Sequence, residues 1–233
     1  EINNPNGFLL LNLPTLKGIY LDALEVLDEH RRSAGEFSLG GLDYATVRAE
    51  VPRMLDEMQG GARRIKRIVE DLKDFARRED APAFEDVDLN AVVQAAVRLV
   101  EPSIRKATRR FQAAYAPDLP AVRGNAQRIE QVVVNLVMNA CEALADPERA
   151  VSVATGADRE RGTVWLRVTD EGVGIAPEHL PRLTDPFFTT KRESGGTGLG
   201  LSVSAGIVKE HGGTLDFSSR PGSGTTVSMT LPT

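Results

Sequence analysis

Asp185-Pro-Phe-Phe-Thr-Thr-Lys191 leads, after three further residues, into Gly195-Gly196-Thr197-Gly198-Leu199-Gly200-Leu201. Glycines let backbone N–H groups close on an anion with no Cβ in the way. A helix beginning near Gly198 would aim its positive dipole end at the same point. The pattern is a candidate phosphate seat. No Gly-Lys-Ser/Thr closes a P-loop, however, and the glycines do not fit the Gly-x-Gly-x-x-Gly spacing behind a strand. On the glycines alone, a plain flexible loop is the simpler reading.

Two further stretches change the balance. Gln131-Val-Val-Val-Asn135-Leu-Val-Met-Asn139-Ala-Cys-Glu142 reads as a helix with Gln131, Asn135, Asn139 and Glu142 on one face. Val133, Leu136, Val137, Ala140 and Leu144 occupy the other. Carboxamides on one stripe can ligate a hard cation through oxygen, and Asp170-Glu-Gly172-Val-Gly174 supplies a strand-end acid with two glycines beside it.

Taken together, in this order and spacing, the three stretches resemble the nucleotide-binding domain of sensor histidine kinases, within the wider ATPase superfamily that includes gyrase and the mismatch-repair clamps. The resemblance implies ATP and Mg²⁺ as cofactors. Asp170 resembles the acid that accepts a hydrogen bond from the adenine amino group, with Gly172 and Gly174 giving the base room. Asn139 resembles the Mg²⁺ ligand and Asn135 its neighbour in the pocket. The amides around Gly196, Thr197, Gly198, Leu199 and Gly200 resemble the phosphate cradle. Lys191 could reach a terminal phosphate or stay solvated. Phe187 and Phe188 read best as core aromatics that hinge a lid. One departure from the family is Glu142, where many relatives carry a basic residue that touches phosphate.

Residue 135 bears on the reaction. Superfamily members that hydrolyse ATP with water carry a glutamate base at the position matching Asn135, and a carboxamide cannot take a proton there. The expected function is therefore an ATP-dependent protein histidine kinase core, passing the phosphoryl group on to a response-regulator aspartate. The alternatives are a clamp-type ATPase and a non-enzymatic nucleotide-binding scaffold.

At the start of the chain, Glu1-Ile-Asn-Asn4-Pro5 resembles the sequence following the phosphate-accepting histidine of the same family. The resemblance would put that histidine immediately before Glu1, make Glu1 its acid/base partner, and give Asn4 the water used in dephosphorylation. None of the three histidines present fits the acceptor role. His30 reads as a solvated residue near a helix end, and His179 and His211 as caps or surface residues.

Residues 1–80 are helical by period: Leu9, Leu13, Leu16, Tyr20, Ala23 and Leu27 form one seam, and Val51, Leu55, Met58, Ala62, Ile65, Val69, Leu72 and Ala76 a second. Ser33 to Asp43 carries the glycines of a turn between them. An antiparallel hairpin buries little alone, and pairing two copies into a four-helix bundle is the natural remedy, so a homodimer is expected. Gly60-Gly61 interrupts the second helix at about 1 kcal/mol each relative to Ala, for close packing or for a bend.

A linker at 81–87 then leads to an ATP-binding domain at 88–233, giving an α+β chain. A helix from Leu89 to about Lys106, the Asn helix, and strands near 111–115, 151–155, 164–170, 215–218 and 226–231 suggest an α/β sandwich. Its sheet would be mixed and covered by helices on one face.

The 233 residues allow two modest domains. A net charge of −5 offers no electrostatic case for nucleic acid or an anionic membrane. Cys141, the one cysteine, is expected to be a buried thiol in a reducing compartment. No run approaches the ~20 apolar residues of a membrane span. A cytoplasmic fragment is expected, one whose parent could carry an anchor.

Overall fold

The structure is a computed structural model and describes residues 3–76, 84–190 and 196–233; at 3, 67, 71, 72 and 74–76 it describes the backbone alone. Contacts divide the chain into two compact units, Glu1–Lys73 and Asp74–Thr233.

The first unit is a helical hairpin, α1 (Asn3–Ala34) and α2 (Tyr44–Ala76), joined by a minimal β-ribbon of β1 (Ser38–Leu39) and β2 (Leu42–Asp43). The ribbon replaces the simple turn expected there. Gly40 and Gly41, both left-handed, make its tip. Asp43 caps α2 by accepting from the Thr46 hydroxyl and, at 2.9 Å, from the Thr46 N–H, which together hold its carboxyl below the usual range.

Near the ribbon, Tyr44 is fully buried and stacks on Phe37. Its hydroxyl donates to Asp28 at 2.6 Å, while the Arg48 guanidinium donates to the same carboxylate at 3.0 Å. These two donors hold the Asp28 carboxyl below its ordinary value, Tyr44 first. Further along, Tyr20 donates to the Val47 carbonyl at 2.7 Å and Lys17 pairs with Asp56 at 2.6 Å.

The two seams divide differently from their heptad count. Leu13, Leu55 and Ala62 are buried inside the hairpin, whereas Leu9, Leu16, Met58 and Ile65 are exposed. With 3.6 residues per turn, a run of steps of three and four drifts across two adjacent stripes, and only one of them faces the partner helix. Leu72 and Ala76 fall where the side chains are not described. At Gly60 and Gly61 an added Cβ would meet nothing within 4 Å, so packing inside the hairpin does not require either glycine.

The second unit is a five-stranded sheet in the order β4-β6-β7-β9-β8, formed by β4 (Arg110–Ala114), β6 (Ala150–Asp158), β7 (Thr163–Asp170), β8 (Thr214–Arg220) and β9 (Gly224–Pro232). Only the β4/β6 pair is parallel. Period-two alternation puts Val151, Val153, Val164, Leu166 and Val168 on the covered face. There they meet the apolar stripes of α3 (Leu89–Leu99), α5 (Ala126–Ala143) and α6 (Gly200–Glu210) in one core. Asp88 caps α3 through the Ala91 N–H at 3.2 Å.

Two expectations are corrected here. The helix expected to run from Leu89 to Lys106 breaks at Val100, and a short α4 (Glu101–Ala107) follows. Pro102 lacks an N–H and its ring would press on the Arg98 carbonyl, so the chain restarts with the proline at a first-turn position. The linker expected at 81–87 ends early: β3 (Glu85–Val87) pairs antiparallel with β5 (Val122–Gly124). Only Val87 of that strand is buried, which leaves too little apolar alternation to announce it. No helix among the described residues is long and apolar enough to cross a membrane.

Candidate functional site

The site lies where the Asn face of α5 meets the start of α6 and the end of β7. Asn125 caps α5 by accepting the Arg128 N–H at 3.0 Å, and the buried row Val132, Val133, Leu136, Val137 and Ala140 fixes its rotation. That rotation leaves Gln131, Asn135 and Asn139 half-buried beside α6, with Glu142 exposed at the far end.

Asn135 Nδ2 donates to the Ser204 hydroxyl at 2.8 Å, and its Oδ1 accepts from Asn139 Nδ2 at 3.4 Å. A Cβ on Gly200 would stand 2.5 Å from that Oδ1. The first residue of α6 is thus seated against the carboxamide stripe, and its N–H groups open beside it. The helix starts at Gly200, two residues later than Gly198.

The two halves of the glycine-rich stretch are joined at their base, where the Phe187 N–H donates to the Gly198 carbonyl at 2.9 Å. Gly198 is left-handed at φ 71°, and a Cβ there would meet the Phe187 backbone at 2.5 Å. Thr197 Oγ1 accepts from the Leu199 N–H at 3.3 Å, and the Leu199 side chain is buried. Gly196, Thr197, Gly198, Leu199 and Gly200 therefore form one continuous approach to α6. Lys191 and Gly195 lie outside the described residues.

Phe187 is a correction. The residue is 59% exposed and its backbone is left-handed at φ 65°, so it is not a core aromatic. Phe188 is the anchored member of the pair, half-buried against His179, with the Arg182 guanidinium 4.5 Å above its ring.

At the other end of the site Asp170 closes β7 and is only 6% exposed. Its Oδ1 accepts from Gly172 N–H at 2.8 Å and Thr225 N–H at 3.2 Å. Gly172 is wedged between this carboxylate and the Ala143 carbonyl, 2.6 and 2.5 Å from where its Cβ would be. Gly174, at φ 70°, lies against the Arg220 carbonyl. Because Val173 N–H bonds the Ala143 carbonyl at 3.0 Å, the Asp170 loop is tied to the end of the helix that carries Asn135 and Asn139. Asn139, Asn135 and Gly200 touch in sequence, while Asp170, Gly172 and Gly174 form a second group held to the same helix.

Sequence reasoning missed Ser204 and Thr225. Ser204 follows Gly200 by one helical turn, a spacing from which it could have been found; the Thr225 N–H depends on strand register and had no local signal. His211 is an α6 C-cap as expected, but not a surface residue. It is 4% exposed, with Nε2 accepting from the Asn125 N–H at 2.9 Å, Nδ1 donating to the Ile207 carbonyl at 2.7 Å, and Phe84 stacked on its ring. His30 remains exposed, edge-on to Phe37. Asn4 sits exposed in the first turn of α1, and Glu1 lies outside the described residues.

Among the described residues no cluster of three or more His, Cys, Asp or Glu could hold a metal. The carboxamide stripe is compatible with Mg²⁺, which commonly takes only one or two protein oxygens and completes its shell with phosphates and water. Asn139 gives an amide N–H to Asn135 at 3.4 Å, which ties the two carboxamides of the stripe together.

A mixed sheet covered by helices on one face, with an Asn-bearing helix set against a glycine-led helix, defines an ATPase fold of the gyrase type. Residues 124–233 match the family described as histidine kinase-, DNA gyrase B-, and HSP90-like ATPase. The chain is 34% identical over 192 residues to the sensor histidine kinase ZraS of Escherichia coli K12, covering 82% of this chain and 40% of ZraS. It is 31% identical to the nucleotide-free catalytic domain of the histidine kinase ThkA, with a TM-score of 0.57 over 65% of this chain and 98% of that domain. ThkA solved in complex with the response regulator protein TrrA aligns with all of this chain and 61% of that one at a TM-score of 0.64, and at 22% identity it speaks for the fold. The chain belongs to the sensor histidine kinase family and carries its ATPase-type catalytic domain. It spans about a fifth to two fifths of the length of the curated relatives it matches.

Proposed function

We propose that this chain is the kinase core of a two-component sensor: it binds ATP with Mg²⁺ and transfers the γ-phosphoryl group to a histidine imidazole placed just before Glu1. The observation that carries this reading is the commitment of Asn135. Its nitrogen is given to Ser204 and its oxygen receives Asn139, and a carboxamide so held cannot take a proton from water. Transfer to a protein nucleophile then suits the site better than hydrolysis.

In the proposed reaction an imidazole nitrogen forms the new N–P bond as the bond from the γ-phosphorus to the bridging oxygen breaks, and ADP leaves. Glu1 receives the imidazole proton. Asn139 would hold Mg²⁺, and the ion would supply neutralisation of the charge on the transferring group. Asp170 accepts from the adenine amino group, Gly172 and Gly174 leave space for the ring, and Asn135 closes the pocket. The amides from Gly196 to Gly200 cradle the phosphates at the α6 N-terminus. Lys191 is a candidate partner for the terminal phosphate. Asn4, exposed in the first turn of α1, orients water for the reverse removal of phosphate from a regulator.

A homodimer through the hairpin fits the leftover apolar surface. Phe8, Leu16, Ile19 and Val26 on α1 are exposed, as are Met54, Met58 and Ile65 on α2, with Gly61 in their row. A second copy of the hairpin would cover them in a four-helix bundle. ThkA, whose catalytic domain is 31% identical to this chain, has been solved with the response regulator TrrA, and this supports a receiver-domain aspartate as the next acceptor. A cytoplasmic location suits ATP as the phosphate source.

Single-turnover reaction of γ-labelled ATP with the full-length protein tests the reading. Acid-labile phosphate on the protein is expected; free phosphate without labelled protein would indicate a clamp-type ATPase, and neither would indicate a scaffold.

A further inference from the structure

The hairpin seam contains a polar residue that its apolar pattern does not call for. Asn6 is 4% exposed, in the same buried seam as Leu13, Leu55 and Ala62. Its Nδ2 donates across the hairpin to the backbone carbonyl of Ala62 at 2.8 Å. The carbonyl can only accept, so the orientation of the amide is settled, and its Oδ1 is then buried without a hydrogen-bond partner.

Such a group opposes folding, because a Leu or Val there would bury apolar surface and orphan nothing. Buried carboxamides in helical seams are best known for fixing register at a cost in stability. The partner is suited to this, since the methyl of Ala62 lets a carboxamide reach the helix backbone where a larger side chain would hold it off. Gly60 and Gly61 directly precede Ala62, so the bond holds α2 beside two residues of high backbone freedom.

We infer that Asn6 is a register pin for the hairpin: its bond to the Ala62 carbonyl sets the axial and rotational position of α1 against α2 at the end where Asn4 lies. On the proposed function, the pin also places the acceptor end of α1 for phosphoryl transfer; the pin itself does not rest on that reading. Tyr20 to Val47 and Lys17 to Asp56 hold the middle and tip of the hairpin, and Asn6 is the side-chain tie across its open end among the described residues.

The test is a distance measurement on the full chain. Spin labels at Thr15→Cys and Glu57→Cys, both exposed positions, report how α1 sits along α2, with labelled chain diluted into unlabelled to isolate single hairpins. Cys141 can stay in place because it is buried and its thiol is pushed up to about 11. The native chain should give one narrow distance. Asn6→Leu should keep full helix content and melt higher, yet give a broadened or split distribution, since a slip of one turn moves the labels by about 5 Å along the axis. An unchanged narrow distribution would overturn the pin. If Asn6→Leu does not fold, Asn6→Ala, which cannot overpack, is read by the same criterion. Where distances broaden but the labelling rate of the full-length protein from ATP is unchanged, the pin stands and its link to transfer falls.

Discussion

Gly200 opens α6 against the carboxamide of Asn135, so close that a Cβ on the glycine would lie 2.5 Å from Asn135 Oδ1. Asn135 is itself held by Ser204, one turn along the same helix. Gly200→Ala should therefore drive the carboxamide off Ser204 and weaken ATP binding by about tenfold, equivalent to roughly 1.4 kcal/mol. In an Asn135→Ala background the same change should cost much less, because the obstructed group is gone. Calorimetric titration of all four members of this cycle measures the coupling, expected at about 0.5–3 kcal/mol for residues in contact. Equal losses in both backgrounds would refute the contact as the cause.

Asp170→Asn should weaken ATP binding by one to two orders of magnitude, since a charge-assisted hydrogen bond is worth about 1.5–3 kcal/mol. The fold should survive, because an amide oxygen can still accept from Gly172 and Thr225, which the carboxylate now holds at 2.8 and 3.2 Å. Unchanged affinity in a folded variant would remove Asp170 from the adenine site.

The hairpin makes a paired prediction. Leu13 is 6% exposed and Leu16 51% exposed, three residues apart on α1. Leu16→Asp should convert a dimer to a folded monomer in light scattering, whereas Leu13→Asp should unfold the hairpin by burying an unpaired charge. A monomeric native chain, or a Leu16→Asp dimer, would count against the bundle.

Burial, followed by the nearby charges of Glu142 and Asp170, pushes the Cys141 thiol up to about 11. At pH 8 a thiol reagent should modify the folded chain about two orders of magnitude more slowly than the unfolded one, whose thiol ionises near ~8.5. The linkage has a definite sign. Between the unfolded and folded values the native state binds more protons, so this thiol's contribution to stability is intact below about pH 8 and lost as pH rises toward 11. Denaturant titrations from pH 8 to 11 on native and Cys141→Ala chains check it; identical pH slopes would contradict the assignment.

The legibility of each feature tracks its physical origin. The hairpin and α5 announce themselves because long helices repeat their apolar positions many times, and the Asp170 and Gly198 loops because glycine marks sites of close approach. Three-residue strands such as Glu85–Val87 carry too few repeats to read. The assignment of Leu16 and Leu13 to different faces needs the rotation of α1 about its own axis, which spacing alone leaves open. Phe187 reads as core for a related reason: it is aromatic, and nothing local reveals the left-handed backbone that leaves it exposed. Asn6 looks like an ordinary surface residue until the partner helix is in place.

In the proposed reaction a carboxamide at position 135 leaves the γ-phosphate to a protein nucleophile. The most direct test is the partition of labelled phosphate in single-turnover reactions of the full-length protein, native and Asn135→Glu. The native protein should retain the label as acid-labile protein phosphate with little release. Asn135→Glu, with a base at the same place, should shift label toward free phosphate, by an amount set against the roughly 10² to 10⁴-fold that general-base catalysis contributes. Release of free phosphate by the native protein, with none bound to it, would contradict the account.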